Sequence, residues 1–286
     1  MRFRFIKRHV GQFRVSIMCK VLQVSRAGYY AWCKRGPSAR DEANQRLLKL
    51  LRRLFSLNHK RYGYRRMHQV ARKEIPCGLH RVARLMSQDG LKVPQRRRRR
   101  STTQSKHKRP VPPNILGREF MAVAPNHTWL SDITYVPTQQ GWLYLAVVLD
   151  LYARRVVGWA MESYLADLLT RKALKMALRR RQPAPALLHH SDRGIQYASL
   201  DYRKLLLSNK AAISMCRKGD VLDNAPMDSF YATLKKELVH RHNYQTRKEA
   251  VSSIFEYIDG YYNLVRIHSA IQYYSPVAYE ALYVAP

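Results

Sequence analysis

The chain has 286 residues, 46% of them hydrophobic, enough to bury the core of one large domain or two smaller ones, which excludes disorder throughout. Its 52 Lys and Arg against 19 Asp and Glu give a formal charge of +33, far beyond what solubility requires, and make nucleic acid the expected partner. Four cysteines without a CxxC pair, no apolar stretch of signal-peptide length behind the basic N-terminus, and a longest apolar run that stops at Asp150 argue against zinc, secretion and a membrane span; a cytoplasmic protein is expected.

The charge is unevenly spread. Residues 1–117 hold 31 basic and 4 acidic side chains, whereas residues 118–286 hold 21 and 15. Three parts are expected: a helical DNA-binding region over 1–93, a basic arm or linker over 94–117, and a domain over 118–286 that holds most of the carboxylates. The stretch 16–32, SIMCKVLQVSRAGYYAW, predicts a short helix, a turn near Val24 and Ser25, and a second helix capped by that serine, which is helix-turn-helix grammar. Helical apolar spacing follows over 44–57, then RYGYRRMHQVARK and GLHRVARLM predict two more amphipathic helices. Arg61, Arg65, Arg66, Arg81 and Arg84 are expected on one DNA-facing side, although a charge run can also be a merely solvated face. Between 94 and 113 stand Arg96, Arg97, Arg98, Arg99 and Arg100, then Lys106, Lys108 and Arg109, among prolines and serines without periodicity. Such an arm can follow a DNA backbone, with binding that weakens steeply with salt.

From 126 the pattern changes to strands: HTWLSDITYVP, GWLYLAVVLDLYA and RRVVGWAME predict an antiparallel meander. A helix (LADLLTRKALKMALRRR), a strand (ALLHHSD), a helix (SLDYRKLLLSNK), a strand (AAISMCRK) and a helix over about 224–239 come next. The fold class read from this order is α/β, a ribonuclease-H-like mixed sheet behind an all-α helix-turn-helix region. The aromatic-rich stretch 254–279 predicts a packed helix, with a DNA contact through Arg266 and His268 left open.

Phosphodiester chemistry in such a core needs carboxylates converging on two Mg²⁺ ions, with Mn²⁺ as a substitute, since Asp and Glu supply the hard oxygens these ions prefer. Asp132 lies inside an apolar and aromatic strand, where a lone carboxylate is costly without a cation or donor. Asp192 follows HHS where a strand ends at a glycine turn, and Asp228 stands on the last helix. Adjacent His189 and His190 point to opposite faces and complete no zinc set; His190 is a candidate phosphate donor. On the last helix Asp228 and Lys235, seven apart, lie nearly in line, whereas Glu237 falls opposite. Asp228 is therefore preferred over Glu237 as third carboxylate, and Lys235 as a phosphate contact.

These residues sit in motifs that resemble a known family. MCKVLQVSRAGYYAW, YGYRRM, HTWLSDITYV, GWLYLAVVLDLYARRVVGW, HHSDRGIQYAS, SMCRKGDVLDNAPMDSFYATLKKEL and YYNLVRIHSAIQYYSPVAYE, in this order over nearly the whole chain, resemble the second-frame (OrfB) transposases of bacterial insertion sequences, DDE-superfamily relatives of retroviral integrases. The resemblance implies an Asp, Asp, Glu metal triad with 35 residues between the last two and a basic residue seven further on; Asp132, Asp192 and Lys235 match. At 228 the family has Glu and this chain has Asp, one methylene shorter. It further implies Mg²⁺-dependent strand cleavage and strand transfer on element-end and target DNA, a homo-multimer, an upstream-frame (OrfA) partner or fusion, and a nucleoid-associated protein. The alternative that Asp228 raises is a catalytically weak or inactive DNA-binding protein or repressor derived from such an element.

Overall fold

In the computed structural model residues 1–94 and 111–283 are described, so the arm residues Arg96 to Arg100, Lys106, Lys108 and Arg109 lie outside the described residues. The chain divides into two units, Met1–Val93 and Pro94–Pro286.

Amphipathic spacing builds the first unit entirely from helices. α1 (Arg2–His9), α2 (Val15–Val21) and α3 (Arg26–Lys34) close over Ile6, Met18, Cys19 and Tyr29, with Phe3 and Trp32 packed against them. The Ser25 hydroxyl accepts from the Gly28 N–H at 3.2 Å, giving α3 the cap its sequence calls for. α4 (Ala39–Leu57) starts at the Ser38 cap and buries Leu47, Leu50, Leu51, Leu54 and Phe55, a stripe at helical spacing. α5 (Tyr64–Ala71) and α6 (Leu79–Gln88) bury Met67, Val82, Leu85 and Met86, and Arg52 on α4 pairs with Asp89 at the end of α6. Arg65 and Arg84 are exposed and Arg61 and Arg66 half-buried. Arg81 departs from the expectation of an open face, because its Nε donates to Asn44 Oδ1 at 2.9 Å.

The second unit is built on one five-stranded sheet in the order β3-β2-β1-β4-β5. β1 (Thr128–Thr138), β2 (Gly141–Asp150) and β3 (Arg155–Glu162) form the expected meander, and β4 (Leu188–Ser191) and β5 (Ala212–Met215) add in parallel beyond β1. α7 (Asp167–Arg181) and α8 (Leu200–Ser208) connect them and cover one face through Trp129, Val148, Val157, Ala173, Leu174, Tyr202 and Leu206. α7 lies directly on β3 at Gly158: a Cβ there would stand 2.3 Å from the Ala173 carbonyl, so no larger residue fits. α9 (Ala225–Glu237) begins with Pro226 in its first turn and buries Met227, Phe230, Tyr231 and Leu234.

Two expectations need correction. The linker expected over 94–117 is shorter at its far end: Leu116 is buried, and the Ile115 and Leu116 N–H groups donate to Ser214 Oγ at 2.9 and 3.3 Å, which binds this stretch to β5. The C-terminal stretch is not one regular helix. α10 (Arg247–Phe255) widens into a π-helix over Glu256–Tyr262, and α11 (Pro276–Glu280) restarts after the Ser275 cap. The widened turn brings Asn263 to the outer edge of β3. There its amide accepts from the Val156 N–H at 3.0 Å and donates to the Val156 carbonyl at 2.9 Å, replacing a sixth strand.

Candidate active site

β1 is eleven residues long and β4 only four, so their parallel ladder runs from Thr128↔Leu188 to Ser131↔Ser191 and stops. The next residue on each strand is an aspartate, Asp132 and Asp192. Two carboxylates therefore leave neighbouring strands at the same level, where β1's edge becomes open. Asp132 Oδ1 accepts from the Ile133 N–H at 2.7 Å, and Asp192 Oδ1 accepts from the Gly194 N–H at 2.9 Å across a tight turn. A Cβ at 194 would lie 2.9 Å from Asp192 Oδ1, so glycine keeps this turn close.

α9 supplies the third side of the site. The Tyr231 hydroxyl donates to the Asp132 carbonyl at 2.5 Å, and one turn earlier Asp228 stands exposed in the first turn of the helix. Burial pushes the Asp132 carboxyl well above the usual carboxylate range, and the charges of Asp192 and then Asp228 push the same way; the Ile133 N–H and Lys235 oppose them. Although its side chain reaches solvent, partial desolvation by the surrounding protein raises Asp228 as well, opposed by Lys235. Lys235 is itself lowered by burial and raised by Tyr135, Asp132 and Asp228. Asp192, Asp228 and Lys235 thus each act on Asp132, and Lys235 also acts on Asp228. Among the described residues no three His, Cys, Asp or Glu side chains are arranged as a ready metal cage. The donor set nevertheless fits Mg²⁺, which binds through one or two carboxylates, retained waters and substrate phosphates rather than closed protein cages.

Other candidates are occupied elsewhere. Glu237, opposite Asp228 on α9, is buried and takes Arg266 Nη2 at 2.8 Å and the Tyr257 hydroxyl at 2.9 Å. Arg266 is 2% exposed, and its Nη1 lies 2.9 Å from a ring nitrogen of His268. The DNA contact left open for Arg266 and His268 is therefore corrected: Arg266 holds the C-terminal segment to α9, and His268 leans on it. His190 is corrected as well, being fully buried between Ser214 Oγ at 2.8 Å and Cys216 Sγ at 3.3 Å with both ring nitrogens engaged. Burial lowers it to about 4 and His189 to about 3. His189 turns the other way, to Ser131 Oγ and the Tyr202 hydroxyl, so the two adjacent rings diverge as strand geometry requires.

Comparison with known proteins bears on these residues. The sequence family described as "Integrase core domain" matches residues 122–221 and again 228–282, and "HTH-like domain" matches 42–99. The chain is 43% identical to the insertion element IS600 uncharacterized 31 kDa protein of Shigella sonnei, over 93% of this chain and 98% of that protein. It is 37% identical to transposase InsF for insertion sequence IS3A of Escherichia coli strain K12, over 98% of each. The chain belongs to the IS3 family of transposases. A solved structure of the HTLV-2 integrase catalytic core domain in complex with magnesium covers 55% of this chain and 98% of its own, at 15% identity and a TM-score of 0.43.

In this transposase the first integrase-core match carries Asp132 and Asp192 and the second carries Asp228 and Lys235, while the HTH-like match takes in α4, α5 and α6. Among the described residues no helix is long and apolar enough to cross a membrane. Sequence reasoning missed Asp223, which is fully buried and accepts from Asn114 Nδ2, Arg118 Nε and the Arg217 N–H and guanidinium at 2.7–3.1 Å. Arg217, with other donors, holds its carboxyl far below the usual range. This cluster fixes the segment leading into α9. Next to it Asn224 donates Nδ2 to the Ser131 carbonyl at 3.4 Å, beside Asp132. An Asp-Asn pair just before a proline at a helix start was the available signal.

Proposed function

We infer that this transposase binds the DNA ends of its element and carries out Mg²⁺-dependent strand cleavage and strand transfer, with Asp132, Asp192 and Asp228 as metal ligands and catalytic residues. The observation that carries the reading is the end of the β1–β4 ladder, where two aspartates emerge from adjacent strands into the field of a third on α9. Like charges brought together where two of them are half-buried repel one another, and a divalent cation relieves them. Bound Mg²⁺ supplies Lewis acidity, activating the attacking oxygen and stabilising the leaving one. Asp132 and Asp192, each with one oxygen on a backbone N–H, keep fixed orientations for their second oxygens. Tyr231 holds the β1 backbone at Asp132, and Lys235 takes a DNA phosphate beside the carboxylates.

In the same reading the basic front grips DNA through Arg61, Arg65, Arg66 and Arg84, with Arg81 contributing whatever its Asn44 contact leaves open. The arm arginines and lysines follow the backbone, two or more copies act on paired ends, and an upstream-frame (OrfA) product joins as partner or fusion. Incubation with a duplex made from the inverted repeats flanking the gene, with Mg²⁺ or Mn²⁺, tests this. Nicked and joined products that vanish in Asp132→Asn are expected; DNA binding with no products under either metal contradicts it. One observation favours a second reading, a weakly catalytic or inactive DNA-binding protein: the third carboxylate is the shorter Asp228, and it stands exposed.

A further inference from the structure

Beyond Ser131 the outer edge of β1 is no longer covered by β4, and the hairpin it forms with β2 carries two aromatic rings into solvent. Tyr135 is 40% and Trp142 49% exposed, and their rings meet edge to face with centroids 5.1 Å apart. Folding has buried the neighbouring Val136 and Leu143 and left these two larger rings half open. The pair is held in place. Tyr135 faces Tyr144 and Pro137 faces Trp142 across the ladder, and Arg247 donates Nε to the Trp142 carbonyl at 3.1 Å.

One cation borders the Tyr135 ring and a second sits at the Trp142 backbone. Lys235 Nζ lies 5.2 Å from the centre of the Tyr135 ring, and the Arg247 guanidinium would lie 3.0 Å from a Cβ at Gly141, beside Trp142. Strand alternation sends the Tyr135 and Asp132 side chains to opposite faces of β1, and Lys235, which lies over the Tyr135 ring and acts on Asp132, connects the two. Three residues of extended chain separate them, roughly 10 Å at about 3.3 Å per residue. That is roughly three nucleotide steps of a stacked strand at about 3.4 Å each. Aromatic rings bordered by cations are the general means by which proteins hold unpaired bases without reading their sequence.

The geometry points to a base-stacking platform: Tyr135 and Trp142 take an unstacked nucleobase of the DNA strand entering the carboxylate cluster, within about three nucleotides of the phosphate held by Lys235. This rests on the proposed nuclease and transfer site, and its failure is separable from that of the site. The test places 5-iodouracil singly at each of the last six positions of either strand of an inverted-repeat duplex, irradiates it with the full chain, and maps the cross-linked peptides. Cross-links to Tyr135 or Trp142 at one or two positions are expected, retained in Tyr135→Phe and lost in Trp142→Leu. Trp142→Leu should also weaken binding of the intact duplex about tenfold, and have no effect when the cross-linking position is abasic. Cross-links confined to other residues, none at all, or an equal loss on abasic DNA overturns the platform. Cutting that still depends on Asp132 then leaves the active-site reading standing, and absence of both cross-links and cutting removes both.

Discussion

α9 carries two carboxylates with opposite fates. At its C-terminal end Glu237 is buried and fully answered: Arg266 gives it two guanidinium nitrogens, Tyr257 a hydroxyl, and His268 backs the arginine. At its N-terminal end Asp228 stands exposed and acts on Asp132, with Lys235 as the cation opposing both. One helix thus carries both a structural charge and the carboxylate proposed for the site. A paired interior charge holds elements together, whereas like charges collected at a strand end cost stability and point to chemistry with a cation. Neutralising the two ends should therefore change activity and stability in opposite proportions.

The largest effect belongs to the unanswered end. Asp132→Asn should reduce nicking of end DNA on the order of 10³-fold or more, as loss of a member of a catalytic set does. It should also raise the melting temperature of the metal-free protein, because a carboxyl held above its ordinary pKa is destabilising when ionised. Product gels and thermal melts check both halves; an active or less stable variant breaks the contrast. At the other end, Glu237→Ala should destabilise the fold by about 3–5 kcal/mol, since it strands a buried guanidinium. Glu237→Gln with Arg266→Met should recover much of that loss in denaturant titrations.

A third, smaller effect is set by acid. His189 and His190 are held neutral, with pKa values of about 3 and about 4 in the fold. The unfolded chain, with imidazoles near the ordinary value of about 6.5, therefore takes up protons first as pH falls. Stability is full above about pH 6.5 and declines down to about pH 3, by about 4 kcal/mol between pH 7 and pH 5. Melts across that range in wild type and His190→Gln check this, the variant giving the shallower slope. The smallest effect is at 228. Restoring the longer carboxylate with Asp228→Glu should raise nicking several-fold without altering stability, and an unchanged rate argues that Asp228 is no ligand.

Much of this contrast was legible in the sequence, because it follows from periodicity. Strand alternation located β1, β2 and β3, and 100° per residue put Glu237 opposite Asp228 and Lys235. Asp132 inside a strand and Asp192 just past one were legible for the same reason. What was hidden depends on partners far away in the chain. Asp223 is answered by Asn114 and Arg118, more than 100 residues earlier, and Asn263 by Val156, 107 residues earlier. The π-helix over Glu256–Tyr262 breaks the 3.6-residue period on which a single packed helix was expected there. α1 escaped notice because its basic side chains masked a single buried anchor, Ile6. From sequence His190 looked like a phosphate donor; only the neighbouring strand shows its ring held between Ser214 and Cys216.

Asp132, Asp192 and Asp228 are proposed to share divalent cations. Anomalous diffraction from crystals of the full chain grown with an inverted-repeat duplex and Mn²⁺ measures it directly. The account predicts manganese peaks at coordination distance from Asp132 and Asp192, one of them also reached by Asp228 and by a DNA phosphate. Manganese bound only elsewhere, or the three carboxylates apart with DNA in place, contradicts it.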